Sequence, residues 1–250
     1  MVEEGKYIYC IIGIDTERNF GPIGIGNRGD EVVNVCYRDL SAVISNSPMT
    51  KYVISAENLT AHERVIEEVM KDYTVLPVRF CTIAASAEEV RNLLRRRYIE
   101  FQNLLKDMDN KVELGVKAFW KDMNLIFREI AEENQKIKGL KKKLASKPPE
   151  LAYSDKIRLG KLVQLALEAK KESEGEEIFR VLRKSSFDSR TDPLSGDRMI
   201  LNAVFLVDRG QEKEFDNRVD ELATKHSERI KFNYVGPAPP YNFVNINVNP

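Results

Sequence analysis

The stretch "TVLPVRFCT", residues 74–82, carries one arginine within an otherwise apolar run. If the stretch is a β-strand, its period-two alternation sends Leu76, Val78 and Phe80 to one face of a sheet. Arg79 then falls on the opposite face. Because a buried arginine is rarely unpaired, the stretch predicts either an ion pair inside the fold or a polar anchor in a binding surface.

Further strands flank this stretch on both sides. Residues 6–14 are rich in Tyr and Ile, and residues 111–120 are also strand-like. Residues 32–45 predict either one long strand or two strands broken at Arg38 and Asp39. The first half of the chain therefore has the strands needed for a sheet.

Two amphipathic helices are predicted between these strands. The first has apolar residues at helical spacing up to Tyr73, and Thr60 with Glu63 fits a capping box. The second covers residues 86–108, with Ser86 as its N-cap. Strands and helices in this order are typical of a ferredoxin-like α+β sandwich.

The middle of the chain predicts two long helices. Residues 121–144 place Ile and Leu close to a heptad stripe, which is typical of a coiled coil. The "SKPPE" segment at 146–150 ends that helix, and a second helix begins near Asp155. We expect an antiparallel helical hairpin over 121–190, with the polar residues 170–177 projecting into water.

The predicted fold class is therefore α+β, with two ferredoxin-like α/β sandwich domains and a long antiparallel helical hairpin between or beside them. The first domain covers residues 1–110. The second covers residues 111–250 and includes the hairpin and an extended C-terminal tail. Its strands are predicted at 198–208 and 230–235, with a helix between them.

Composition narrows the classes of partner. Lys plus Arg and Asp plus Glu are both 39, so no overall positive field favours nucleic acid. The apolar run near the N-terminus is too short to span a bilayer. Cys10, Cys36 and Cys81 form no CxxC pair and are typical of a reducing cytoplasm.

No catalytic, cofactor or metal motif is found. "GIGNRG" at 24–29 matches GxGxxG, but a dinucleotide site needs that loop between a strand and a helix, and the residues that follow are β-like. His62 lacks a second histidine four residues later, where Ile66 stands. We therefore predict a protein that is not an enzyme and that holds no cofactor or metal.

For Arg79 the composition favours the ion pair. The predicted preceding helix carries Glu63, Glu67 and Glu68, any of which a guanidinium can bind. The alternative is that Arg79 anchors a partner, with Phe80 behind it in the core.

Four blocks taken together carry a resemblance to a known family. They are "HERVIEEV" at 62–69, "VLPVRFCT" at 75–82, "VELGVKAFW" at 112–120 and "YVGPAPPYNFV" at 234–244. In this combination the chain resembles the gas vesicle protein F/L family over nearly its whole length. It departs from the family pattern at Cys81, where glycine is usual, and at Ala238, where tryptophan is frequent.

The resemblance implies a cytoplasmic, non-catalytic accessory protein of gas vesicle formation. Its implied partners are the small hydrophobic shell protein, protein A, and other accessory proteins. We expect the binding surface around residues 75–81, with the hairpin or the tail as a second contact. The expected contact residues are Arg79, Phe80, Trp120, Tyr241 and Phe243. The alternative for Trp120 and Phe243 is that they fill the second core.

A second function from another class stays open. Paired ferredoxin-like domains also serve as regulatory modules that sense small ligands. An enzyme with a diffuse carboxylate site is the weakest alternative, because no motif places a nucleophile beside a base.

Overall fold

The computed structural model describes residues 3–148 and 152–246. Its chain divides into two compact units. The first unit runs to Glu113 and also contains Asp208–Gly210 and the tail from Gly236, and the second contains Leu114–Val207 and Gln211–Val235.

The tail belongs to the first unit and not, as the sequence predicts, to the second domain. Val244 and Ile246 are buried, and Ile246 forms a parallel bridge with Val78 of the first unit. The burial of these apolar side chains accounts for the difference, since it removes them from water.

The first unit is built on one sheet. Its strands follow the order β2-β3-β4-β1-β5, and β6 also pairs with β1. The strands are β1 Glu4–Ile12, β2 Asn19–Gly21, β3 Val32–Tyr37, β4 Leu40–Pro48, β5 Val75–Pro77 and β6 Ile83–Ala84. The apolar residues of β1 from Tyr7 to Ile12 are buried without alternation, so both faces of the sheet are covered at this strand.

The two-strand alternative for residues 32–45 is confirmed. β3 and β4 form an antiparallel hairpin in which Tyr37 pairs with Leu40. The turn lies at Arg38 and Asp39, and Arg38 has a φ of 54°. Because two residues suffice for such a turn, the break costs the sheet little.

Three helices complete the first unit: α1 Ala56–Met70, α2 Ala87–Arg96 and α3 Tyr98–Asp107. The capping box at Thr60 is wrong, because the Ser55 side chain caps α1 and accepts a hydrogen bond from the Asn58 amide at 3.2 Å. Ser86 is confirmed as the cap of α2, accepting from the Glu89 amide at 3.2 Å. The predicted helix over 86–108 is interrupted at Arg97.

The stretch 74–82 is a strand only at its start. β5 ends at Pro77, and a turn carries Arg79 and Phe80 before β6 begins. Cys81 in this turn has a φ of 65°, a conformation that no strand residue adopts. The predicted alternation therefore fails beyond Val78, and Arg79 does not lie on a sheet face.

The second unit has a four-stranded sheet in the order β10-β7-β9-β8. Its strands are β7 Lys111–Trp120, β8 Asp188–Thr191, β9 Met199–Asp208 and β10 Ile230–Ala238. Its helices are α4 Met123–Glu133, α5 Gln135–Ala145, α6 Tyr153–Arg183 and α7 Glu212–Lys225. β7, β9 and β10 each extend past the boundary between the units.

The single helix predicted over 121–144 is two helices that meet at Asn134. Its side chain accepts hydrogen bonds from the amides of Lys136 and Ile137 at 3.1 and 3.2 Å, and so caps α5. Asparagine is favoured at such caps because its short side-chain oxygen reaches amides of the first turn, which have no acceptor within the helix. Part of the predicted connection at 146–150 lies outside the described residues.

The polar run at 170–177 lies inside α6 and does not project wholly into water. Lys171 and Gly175 are buried. A Cβ on Gly175 would collide with the carbonyl oxygen of Ile200, so glycine is what lets α6 approach β9. Lys171 Nζ donates to the carbonyl oxygen of Gly196 at 3.0 Å.

The α+β class is confirmed by two antiparallel sheets covered by helices. The ferredoxin-like description of each unit and the helical hairpin stay predictions. In the described part of the chain, no helix combines the length and apolarity that crossing a bilayer requires.

Candidate functional site

An apolar cavity of about 400 Å³ opens in the first unit. It is lined by Ile8 of β1, Phe80 of the turn, Ile83 of β6, and Val90 and Leu93 of α2. We call this cavity the groove. It is formed because the turn after β5 lies beside α2, leaving apolar side chains of four elements facing one space.

Positive side chains surround the groove. Lys51 follows β4, Arg79 lies in the turn and Arg96 ends α2, and all three are exposed. Among the lining residues only Glu89 is acidic, and its Oε2 accepts a hydrogen bond from the Ala85 amide at 2.6 Å. The groove therefore combines an apolar floor with a basic rim.

A cluster of aromatic rings supports the turn from behind. The Phe80 ring stands edge-on to the rings of His62, at 5.7 Å, and Tyr7, at 6.5 Å. The Tyr7 hydroxyl accepts a hydrogen bond from the Cys81 amide at 2.9 Å. Burial lowers the pKa of His62 to about 4, which keeps its imidazole neutral near pH 7.

Cys81 lies in a backbone conformation that favours glycine. Its φ of 65° lies in the left-handed region that glycine adopts without steric cost. The cysteine side chain makes a contact that glycine could not, because its Sγ accepts a hydrogen bond from the Tyr52 amide at 3.2 Å. This contact joins the turn to the exposed loop after β4.

A second cavity, of about 290 Å³, lies on the other side of Phe80. It is lined by His62 of α1 and by Tyr241, Val244 and Ile246 of the tail. We call it the tail cavity. The Tyr241 hydroxyl is buried and has no hydrogen-bond partner among residues 3–148 and 152–246, and burial raises the pKa of Tyr241.

The tail is held beside this cavity by a buried carboxylate. Glu113 accepts hydrogen bonds from the backbone amide of Asn242 at 2.8 Å and from its Nδ2 at 2.6 Å. Charge-assisted bonds of this kind are stronger than neutral ones. They fix the position of Tyr241, the preceding residue.

The structure brings three of the five predicted contact residues together. Arg79, Phe80 and Tyr241 all line the tail cavity. Phe243 is half-buried two residues further along the tail. Trp120 is 0% exposed in the second unit, where its Nε1 donates to Glu174 Oε2 at 2.7 Å, so the alternative that it fills the second core holds.

The ion-pair interpretation of Arg79 is wrong. The side chain is exposed, and no carboxylate of the described residues lies within ion-pair distance of it. The reason is local: β5 ends two residues earlier, so the guanidinium points from a turn and not from a sheet face.

Sequence reasoning missed two residues of the groove's rim and two exposed residues of the loop that supplies one of them. Lys51 and Arg96 belong to its rim. Val53 and Ile54 follow in the same loop as Lys51 and are 75% and 78% exposed. The signal was present as "RRR" at 95–97 on an amphipathic helix, which predicts only a solvated face when read alone.

The second unit has a network of charges around Arg229. Its guanidinium binds both oxygens of Glu129, at 2.5 and 2.8 Å, and reaches Glu174 Oε1 at 2.7 Å. Arg229 holds the pKa of Glu129 below its usual value. Lys170 lies 3.1 Å from Glu129, so the network joins α4, α6 and the start of β10. Its groups are mutually satisfied, which is typical of a structural role.

Metal binding has no geometric support in the described ranges. Within residues 3–148 and 152–246, no three His, Cys, Asp or Glu side chains are grouped to hold an ion. The two cavities and their rims are thus the candidate site of a two-unit α+β protein.

The fold is that of solved gas vesicle proteins. The crystal structure of the gas vesicle protein GvpF from Anabaena sp. PCC7120 superposes with a TM-score of 0.85 at 25% identity, covering 98% of this chain and 100% of that one. GvpF from Microcystis aeruginosa shares the fold, with a TM-score of 0.78 at 24% identity over 97% and 99% of the two chains.

Sequence relatives agree. Gas vesicle protein F from Streptomyces sp. is 30% identical over 88% of this chain and 91% of its own length. Gas vesicle protein F1 from Halobacterium salinarum is 29% identical over 88% and 84%. The family profile described as gas vesicle synthesis protein GvpL/GvpF matches residues 5–245, and the chain belongs to this family of gas vesicle accessory proteins.

Proposed function

We propose that this chain binds the small hydrophobic shell protein of the gas vesicle, protein A, and helps to nucleate or assemble the shell. It does so in the cytoplasm as a minor shell-associated component, together with other accessory proteins. The groove and the exposed loop beside it are the proposed docking surface. The proposal involves no catalysis and no cofactor.

The observation that carries this proposal is apolar surface left open on a folded unit. Val53 and Ile54 are adjacent and more than two thirds exposed, and they follow the groove-lining residues 49–51 along the chain. Exposure of such apolar side chains to water is unfavourable, and a cluster of them marks an interaction surface. An apolar shell subunit gains from covering the same surface before it assembles.

The tail is the proposed second contact. Tyr241 lines the tail cavity, which shares Arg79 and Phe80 with the groove. A partner seated on the turn would therefore reach both cavities. Aromatic side chains at such positions contribute strongly to binding.

The test is co-expression of the tagged chain with the shell protein, followed by purification at moderate salt. We expect the two proteins to be recovered together. The double variant Val53→Ser with Ile54→Ser removes apolar side chains that are not part of the core, and recovery should fall. The matched control is Ile157→Ser with Leu165→Ser, which changes two exposed apolar residues of α6.

The proposal fails if the shell protein is expressed and soluble but is not recovered with the folded wild-type chain. If the control pair lowers recovery as much as the loop pair does, the docking surface is not at the groove and the loop beside it. Thermal unfolding of each variant, followed by circular dichroism, checks that the fold is kept.

A further inference from the structure

The rim of the groove holds three cations that are not neutralised. Lys51, Arg79 and Arg96 are exposed, and none is within ion-pair distance of a carboxylate in the described parts of the chain. Their neighbours on α2 have side-chain partners, since Arg91 lies 3.6 Å from Glu88 and Arg95 donates to Asn92 at 2.7 Å. The lining of the groove therefore carries three unpaired cations against one carboxylate, that of Glu89.

These cations come from three separate elements and meet around an apolar wall. Lys51 lies in the loop after β4, Arg79 in the turn after β5 and Arg96 at the end of α2. An apolar wall of low dielectric concentrates the field of charges placed beside it. The rim therefore acts on a bound partner more strongly than the neutral net charge of the chain indicates.

The combination of an apolar floor and a basic rim discriminates between partners. A basic segment is repelled by the rim. A neutral apolar segment satisfies the floor but desolvates the cations without giving them a partner. A segment that carries carboxylates beside its apolar side chains satisfies both, since Arg binds carboxylates bidentately.

We propose that the groove binds a short protein segment whose apolar side chains are flanked by two or more Asp or Glu residues. The inference rests on the proposed function and specifies which part of the shell protein docks here. The apolar side chains enter the groove, against Phe80 and Leu93, and the carboxylates bind the rim. A cavity of about 400 Å³ is near the lower limit of ligand sites and takes a few side chains.

The test uses short overlapping peptides that cover the shell protein of the same organism, each labelled with a fluorophore. Binding to the full chain is measured by anisotropy at low and high salt. We expect the tightest peptides to combine apolar residues with at least two carboxylates, and their affinity to fall with salt. Replacing those carboxylates by Asn or Gln should weaken binding roughly tenfold, as expected when a few exposed ion pairs are lost.

A matched pair of triple variants isolates the rim. Lys51→Gln, Arg79→Gln and Arg96→Gln together should lower the affinity for the acidic peptides roughly tenfold and remove the salt dependence. Lys138→Gln, Lys141→Gln and Lys142→Gln change the net charge equally on exposed positions of α5, in the second unit. This control triple should bind as the wild type does.

Failure of this inference is separable from failure of the proposed function. If the shell protein is recovered with the wild type and equally with the rim triple, the rim does not select carboxylates and the inference is overturned alone. Tight binding of neutral or basic peptides overturns it as well. Competition by decanoate as strong as that by the acidic peptides would point to an amphiphile and against a protein segment. No recovery with the wild type overturns the proposed function itself.

Discussion

The Tyr7 hydroxyl lies 3.1 Å from Nδ1 of His62, deep in the first unit. Tyr7 belongs to β1 and His62 to α1, so this contact joins the central strand to the helix packed on it. The same hydroxyl accepts the Cys81 amide of the turn. A single buried hydroxyl thus links the helix to the turn that carries Arg79 and Phe80, two residues that line the groove.

The stability of the first unit should fall in mild acid because of His62. Its pKa is about 4 when folded, lowered chiefly by burial, and about 6.5 when unfolded. The unfolded chain therefore binds more protons between these values, so stability is full above about pH 6.5 and declines toward pH 4. The loss due to His62 is about 2 kcal/mol at about pH 5.

Urea unfolding of the wild type and of His62→Phe, above about pH 6.5 and at about pH 5, measures this loss. Circular dichroism is the signal. The phenylalanine variant should lose less stability on acidification than the wild type. An equal acid loss in wild type and His62→Phe would contradict the prediction.

Glycine should be well tolerated at position 81. Cys81→Gly relieves a left-handed backbone strain of about 1 kcal/mol while losing the weak bond from the Tyr52 amide, so stability should stay within about 1 kcal/mol of the wild type. Cys81→Val places a β-branched side chain in the same conformation and should lower stability by at least about 1 kcal/mol. Thermal unfolding of the variants measures both effects.

Cys36 supplies the contrast. It lies in β3 without a positive φ, so Cys36→Gly should be destabilising where Cys81→Gly is not. If Cys36→Gly and Cys81→Gly lower the stability equally, relief of backbone strain does not make glycine tolerated at position 81.

Loss of the Arg229 guanidinium should destabilise the second unit. Arg229→Gln leaves Glu129 and Glu174 without their shared cation, at a cost of about 2 kcal/mol for partly exposed groups. Trp120 is the only tryptophan of the chain and lies in this unit, so its fluorescence reports the unfolding there. Arg128→Gln changes an exposed neighbour on α4 and should leave the fluorescence transition in place.

The attachment of the tail to the first unit should depend on the hydrogen bonds that Asn242 donates to Glu113. Asn242→Ala removes the side-chain donor to Glu113 at 2.6 Å and should lower the stability of the first unit by about 1 to 2 kcal/mol, because a buried carboxylate loses a hydrogen bond. The measurement is urea unfolding followed by circular dichroism. Asn245→Ala changes an exposed residue of the same tail and should have little effect. Equal losses in both variants would mean that Glu113 does not hold the tail.

The local elements could be predicted from neighbouring residues. The apolar run of β1, the cap at Ser86 and the break at Arg38 and Asp39 all follow from patterns a few residues long. Helix breaks at Arg97 and Asn134 were missed because a cap or a kink inside an amphipathic pattern leaves its periodicity nearly unchanged.

The resemblance of four sequence blocks also identified the family, and the alternation of strands and helices identified the α+β class. Hydrogen bonds within helices and the periodicity of apolar side chains are encoded by residues close together in sequence. These features therefore needed no knowledge of distant contacts.

Only the tertiary structure decided where the tail lies, that Arg79 is exposed on a turn and that Lys51 and Arg96 join it around the groove. The sequence separates Val78 from its bridge partner Ile246 by more than half the chain, and no local pattern marks such a pairing. The composition of a cavity depends on which distant segments pack together to bury their apolar side chains. That choice is a property of the whole fold, and the proposed binding surface follows from it.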